Sequence, residues 1–278
     1  MPVQAARDAK DLRSPSELPN PFTDEYVREQ VEFYGLQSYN KEGIVVQVET
    51  AYGPMNDYLN KWYHVGDLSV PVLYIDGRLW MSLARMEVQS QVVPIALAEG
   101  KVVLLGLGMG FACLKVMASK LVEEVLVYEL EPRIIEFFKE NFGDREGFQK
   151  VKFIQGDARE EFQGEWCNVC YADIYPLAFG EHIETDPELF QKRNDIGTYV
   201  YWGFERIIWE ALQHGMIFLE SAPPLLRWFF STWMKTPANP GVPDCMLSNL
   251  PFDVELKKDF VREALGGIKL EGLCFYWH

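Results

Sequence analysis

Basic residues are scarce in this chain. Its 278 residues include 26 Lys and Arg against 41 Asp and Glu, a formal net charge of −15. No nucleic-acid partner is expected, because gripping a phosphate backbone relies on clustered Lys and Arg. Histidine is rarer still: His64, His182, His214 and His278 show no ligand spacing, so no metal site is expected. The five cysteines are odd in number and scattered, as befits free thiols in a reducing cytoplasm. Cys167 and Cys170 form a C-x-x-C, but a zinc ribbon needs a second such pair. In a strand, a spacing of three sends the two thiols to opposite faces. Long apolar runs are also missing. None approaches the ~18 residues of a membrane span, and "MPVQAARDAKDLRSPSELPNPF" has mixed charges with no apolar signal segment. The expected location is the cytoplasm, away from any membrane.

What is present is a core-forming composition, 48% hydrophobic and 24% charged, which a soluble globular chain can fold around. Residues 1–25, rich in Pro, Ser, Asp and Asn, read as a flexible arm. Residues 26–85 read as a helix, "DEYVREQVEFYGL", followed by period-two strands. Asp76-Gly77 is a hairpin turn between "VLYI" and "RLWMS". "RMEVQSQVVPIALAEG" reads as a helix leading into the next unit. From Lys101 strand and helix alternate: "KVVLLGLG", "FACLKVMASKL", "EEVLVYELE", "PRIIEFFKENFG", "KVKFIQGDA", "WCNVCYADIY". A helix through "YWGFERIIWEALQ" and a strand "MIFLES" follow. Such alternation implies parallel pairing with crossover helices on both faces. The expected fold is therefore α/β: a doubly wound, mostly parallel sheet of Rossmann type over 86–278, interrupted by an insertion near 178–199, with a small N-terminal β-rich module.

Gly106, Gly108 and Gly110 follow the first of these strands. In doubly wound sheets ligands bind where loops leave the carboxyl ends of strands, and a glycine lets backbone approach them closely. G-x-G-x-G alone fits either a tight turn or a nucleotide site. Its context adds Glu129, 19 residues after Gly110 at the end of the next strand, where a carboxylate can accept both hydroxyls of a ribose. Asp157, in "GDA", and Asp173 end the third and fourth strands. Singly, each acid fits an ordinary helix cap or a solvated loop; together with the glycines they outline a nucleoside cradle. An NAD site usually carries G-x-G-x-x-G, and Phe111 stands directly after Gly110 here.

The loop and its acids resemble the class I S-adenosylmethionine-dependent methyltransferases. That resemblance assigns Gly106, Leu107, Gly108 and Gly110 to the methionine and ribose region. It assigns Glu129, with Leu130 beside it, to the ribose hydroxyls, Asp157 with Ala158 to the adenine, and Asp173 to the edge of the cofactor. Within this group, "LYIDGRLWMS" is similar to the hairpin segment of spermidine synthases, the polyamine aminopropyltransferases, which read roughly L-x-L-D-G-x-x-Q-x-S. "YWGFERIIWEALQHGMIFLESAPP" resembles their helix and strand after the catalytic loop. The likeness covers roughly Val45 to Pro224 and implies an N-terminal β module over a methyltransferase-like domain, and a homodimer.

The amine-binding residues of that family are not retained. Trp80 stands for its Gln, Arg85-Met86 for an Asp-Glu pair, and Gln89-Ser90-Gln91 for Tyr-His-Glu. The loop D-S-x-D-P becomes Asp173-Ile174-Tyr175-Pro176-Leu177, and Met109 replaces the acid after the glycines. Ammonium groups taken out of water need carboxylate partners, and these replacements remove acids and add Arg85. The expectation is methyl transfer from S-adenosylmethionine to a small-molecule acceptor, N- or O-methylation favoured. Asp173 and Tyr175 are the candidate catalytic residues, and Trp80, Tyr175 and Glu220 the candidate acceptor contacts. Two other readings stay open: an aminopropyltransferase with altered amine specificity, and a non-catalytic nucleotide-binding scaffold. The aromatic run "LLRWFFSTWM" fits a buried core or a subunit interface, with an apolar lid as the alternative.

Overall fold

The structure, a computed structural model, describes residues 18–236 apart from 37, 176–181, 184 and 216. The first 17 residues of the expected arm, Pro176 and Leu177 of the loop after Asp173, Met216, Cys245, Cys274 and His278 lie outside the described residues.

Two sheets form. The first is antiparallel, in the order β1 (Tyr39–Lys41), β2 (Ile44–Asn56), β3 (Trp62–Ile75), β4 (Arg78–Ser82). Asp76 and Gly77 join β3 to β4, both at positive φ, as a two-residue hairpin turn that matches strand twist requires. Helix α1 (Asp24–Tyr34) precedes this sheet. Thr23 caps it by accepting from the Tyr26 amide, and Gly35 ends it in the left-handed conformation.

The second sheet has five strands in the order β7 (Val151–Gln155), β6 (Val122–Glu129), β5 (Gly100–Leu105), β8 (Trp166–Ala172), β9 (Asp195–Tyr201), all parallel. The order reverses at β5, which makes the carboxyl end of β5 the topological switch point of a doubly wound fold. Val102 to Leu105 of β5 are buried at every position, as a central parallel strand covered on both faces requires. Each such side chain contributes roughly 1.5–3 kcal/mol. Helices α4 (Phe111–Ala118) and α5 (Pro132–Phe142) cross between β5, β6 and β7. In α5 Pro132 opens the first turn, the Glu131 side chain caps the Arg133 amide, and Ile134, Ile135, Phe137, Phe138 and Phe142 form the buried stripe.

Three sequence expectations change. The lead-in helix is broken into α2 (Arg85–Ser90) and α3 (Val92–Leu97), hinged at Gln91. The expected insertion supplies α7 (Asp186–Arg193) and the sheet's fifth strand, β9. After α8 (Phe204–Gln213), the segment read as a strand ending in Glu220 instead has a 3-10 turn, Leu219–Ser221, with Glu220 exposed. The aromatic run lies in α9 (Pro224–Lys235) and packs inward, with Phe229 and Phe230 fully buried. Phe229 meets the rings of Phe22 and Tyr58, and the Trp233 indole donates to Asp57 at 3.1 Å. Cys113, Cys167 and Cys170 are buried and free; among the described residues no cluster of three or more His, Cys, Asp or Glu could hold a metal ion.

Candidate functional site

The glycine loop leaves β5 at the switch point with all three glycines at positive φ: +92° at Gly106, +53° at Gly108, +81° at Gly110. Their surroundings differ. A Cβ on Gly106 would strike the Asp173 carbonyl after β8, and one on Gly110 would strike the Phe138 ring of α5. Those two glycines let the loop pack against its own fold. Gly110 thus allows the close helix packing that the sequence reading denied to the residue after it. At Gly108 a Cβ would meet only the Met81 side chain, with the sulfur at 2.8 Å. Met81 also accepts the Met109 amide through its sulfur at 3.2 Å. From α1 the buried Tyr34 hydroxyl donates to the Met109 carbonyl at 2.9 Å. The N-terminal module thus holds the loop from two sides.

Glu129, half-buried at the tip of β6, completes the loop. One oxygen accepts from the Leu107 amide at 2.8 Å and the other from the Glu131 amide at 2.8 Å. Burial raises its pKa, and these backbone N–H groups oppose the rise. The Gly108 and Leu130 N–H groups also oppose it. Leu130 is 68% exposed beside it, an apolar side chain left open at the strand tip. Asp157 is the cap of α6 (Ala158–Glu161), accepting from the Arg159 amide at 2.8 Å, and Ala158 is buried behind it.

Asp173, half-buried after β8, is bonded through its amide to the Leu105 carbonyl at 2.7 Å, which holds the tip of β8 against the tip of β5. Its carboxylate accepts from the Gln91 side-chain amide at 3.2 Å, and the same nitrogen donates to Glu87 at 2.7 Å. Burial lifts Asp173 to about 6 against the help of Gln91 and Tyr171. Burial, then the Asp173 charge, lifts Glu87 to about 8. The Tyr171 hydroxyl lies near Asp173 without a bond of good geometry, and both it and Gln91 Oε1 are buried without a partner. Each such orphan costs about 1–3 kcal/mol. Sequence reasoning missed Glu87. The one available signal was its i,i+4 spacing to Gln91, which puts both on one helical face.

The remaining candidates fall in different places. Trp80 is 66% exposed. It is the extra residue of a β-bulge, since Tyr74 pairs with Leu79 and Leu73 with Met81; bulges re-aim side chains beside sites. Tyr175 is buried, its hydroxyl 3.2 Å from that of Tyr199, and burial pushes its pKa up. Glu220 is exposed on its 3-10 turn. Arg85 brings no charge to Asp173: its guanidinium pairs with Asp24 and lies 3.7 Å over the Tyr63 ring. The structure therefore brings together the glycine loop, Glu129, Asp173, Gln91 and Glu87, while Tyr175 is committed to the tyrosine cluster.

The fold is a doubly wound α/β sheet with acids at the tips of β6, β7 and β8. No known family matches the sequence, and no curated protein matches it. Similar solved structures include DhpI in complex with SAM and HEP, at 15% identity over 38% of this chain and 47% of that one, TM-score 0.32. The N-methyltransferase NodS from Bradyrhizobium japonicum WM9 is 16% identical over 41% of this chain and 65% of that one, TM-score 0.33. The glycopeptide N-methyltransferase MtfA, complexed with S-adenosyl-L-homocysteine, is 13% identical over 41% and 46%, TM-score 0.34. The match spans about half the length of the first of these structures. Likeness this low and partial assigns no role to any residue.

Proposed function

We propose that this protein is a methyltransferase that uses S-adenosylmethionine and a small-molecule acceptor. The observation that carries the reading is the fixing of the Glu129 carboxylate beside the glycine loop by the Leu107 and Glu131 N–H groups, next to an exposed Leu130. The residues fit the cofactor. Glu129 would accept from the ribose, Leu130 would cover an apolar face of the adenine, and Asp157 would accept from its amino group. Gly108, where an added Cβ would meet only the movable Met81 side chain, would lie against the ligand. The bound sulfonium supplies an electrophilic methyl group. The chain must then hold the acceptor in line and take one proton. Asp173, raised to about 6 and still partly open, is matched to that second task. Trp80 and Leu79, both exposed on the bulged strand, offer an apolar rim for the acceptor.

Calorimetric titration tests the reading. S-adenosylmethionine should bind the full chain, and Glu129→Ala should weaken it at least about tenfold, the loss of one charge-assisted hydrogen bond. Preference for the decarboxylated cofactor would instead favour aminopropyl transfer. No binding of either form would leave a scaffold with a vestigial cradle.

A further inference from the structure

Glu87 belongs to no motif, yet it stands at the centre of a set of polar groups built to receive a hydrogen-bond donor. Gln91 spends both protons of its amide nitrogen, one on Glu87 and one on Asp173. Its carbonyl oxygen, in a side chain only 1% exposed, has no donor. The Tyr171 hydroxyl, 3% exposed, is likewise unpartnered and faces Asp173, Glu87 and Glu205. The acceptor oxygens here outnumber the donors the protein provides. Glu87 and Asp173 keep part of their surface open at the carboxyl end of β8, beside the switch point.

We infer that Glu87 and Asp173, bridged by the Gln91 amide, form a pair that carries a single proton, held on Glu87, and that Asp173 receives the proton an N–H or O–H acceptor gives up on methyl transfer. The second half rests on the methyltransferase reading; the first does not. In the transfer the sulfur–carbon bond breaks with its electrons staying on sulfur, and a carbon–nitrogen or carbon–oxygen bond forms. The acceptor's proton passes to the Asp173 carboxylate, which becomes the acid and later releases it to water. Glu87 is the positioning residue. Holding its own proton at neutral pH, it leaves the negative charge on Asp173, and two neighbouring carboxyls of unlike pKa divide the roles of acid and base. Tyr171 on β8 and Glu129 at the tip of β6 face Asp173, and Tyr58 lies near Glu87; behind them Glu205 on α8 accepts from Tyr58 and neighbours Tyr171, and Arg206 neighbours Tyr58. All but Arg206 are acids or phenols, so the surroundings favour retention of the proton.

The test needs no acceptor. Carbon NMR of the full chain, labelled at Glu and Asp side-chain carboxyls, is followed from pH 5 to 9. Two linked titrations should belong to the pair: the upper vanishes in Glu87→Gln, and Asp173→Asn lowers the Glu87 midpoint by about one pH unit. Glu205→Gln should leave both in place, and urea midpoints identify any variant that has lost its fold. A Glu87 signal titrating in the ordinary carboxylate range, or one that ignores Asp173→Asn, overturns the proposal. Failure of S-adenosylmethionine to bind while the linked titrations persist would sink the methyltransferase reading and the proton's use, and leave the singly protonated pair standing.

Discussion

At Gly108 and Gly110 one residue type meets two different demands, and substitution should separate them. Alanine at Gly110 must hold φ near +81° and displace the Phe138 ring of a packed helix. Backbone strain and overpacking together should cost roughly 2–4 kcal/mol, read as a lower urea midpoint. Alanine at Gly108 sits at φ +53° against a single flexible thioether. Its strain is about 1–2 kcal/mol, and its main effect should be a drop of tenfold or more in affinity for S-adenosylmethionine. Equal midpoints for the two variants, or unchanged binding by Gly108→Ala, would show that the loop does not divide its glycines between packing and ligand. The sequence displayed the three glycines and could not divide them. The division depends on which side chains arrive from α5, β4 and β8, and these are remote in the chain.

Among the elements, one side chain ties the hairpin turn to α5. Arg133, at the start of α5, donates to Asp76 at the hairpin turn at 2.8 and 3.1 Å, to Glu131 at 2.7 Å, and to the Glu42 carbonyl at 2.9 Å. The contacts to Asp76 and Glu42 are exposed and screened by salt. Arg133→Ala should therefore leave the melting temperature nearly unchanged while speeding amide exchange in β3 and β4 near residues 74–80. Unchanged exchange there would mean that the remaining contacts, Met81 on the loop and Tyr39 and Lys41 on Glu140 among them, suffice to hold the hairpin in place. The hairpin itself was legible, because Asp76-Gly77 between alternating strands has a local cause. So were β5 to β8, whose apolar runs and following helices carry their own periodicity. β9 was not legible: "DIGTYVY" follows a polar helix inside a stretch that resembled nothing familiar, and only its pairing with β8 makes it a sheet strand. Glu87 was hidden for a similar reason. In "RMEVQSQ" it reads as a solvated helix residue, and what raises its pKa is burial together with the charge of Asp173, which arrives from the end of β8.

Across the whole molecule, acids lifted by burial pull against the usual pH dependence of an acidic protein, Asp57, raised to about 6, and Glu129 among them. Glu205 is fully buried with one oxygen unpartnered, and burial lifts it to about 8 despite the bond from Tyr58. Glu87 and Asp173 are lifted to about 8 and about 6. For each, the folded state binds protons more tightly than the unfolded chain, whose carboxyls titrate near 4. Their contribution is therefore complete below about pH 4 and shrinks as pH rises through 6 to 8. Surface acids such as Glu131 and Asp76, held below the ordinary range by Arg133, act oppositely, and their contribution is lost only as pH falls below about 4. The net charge of −15 adds repulsion on the alkaline side. Maximal stability should accordingly lie near pH 5, with the melting temperature falling between pH 6 and 8. Glu205→Gln, which keeps an acceptor for Tyr58 and removes the buried titration, should flatten that slope and raise the melting temperature at pH 8 by about 2–4 °C. A melting temperature that climbs from pH 6 to 8, or a Glu205→Gln slope equal to the parent's, would mean these carboxyls are ionised in the folded protein, with their charges balanced by groups other than those described.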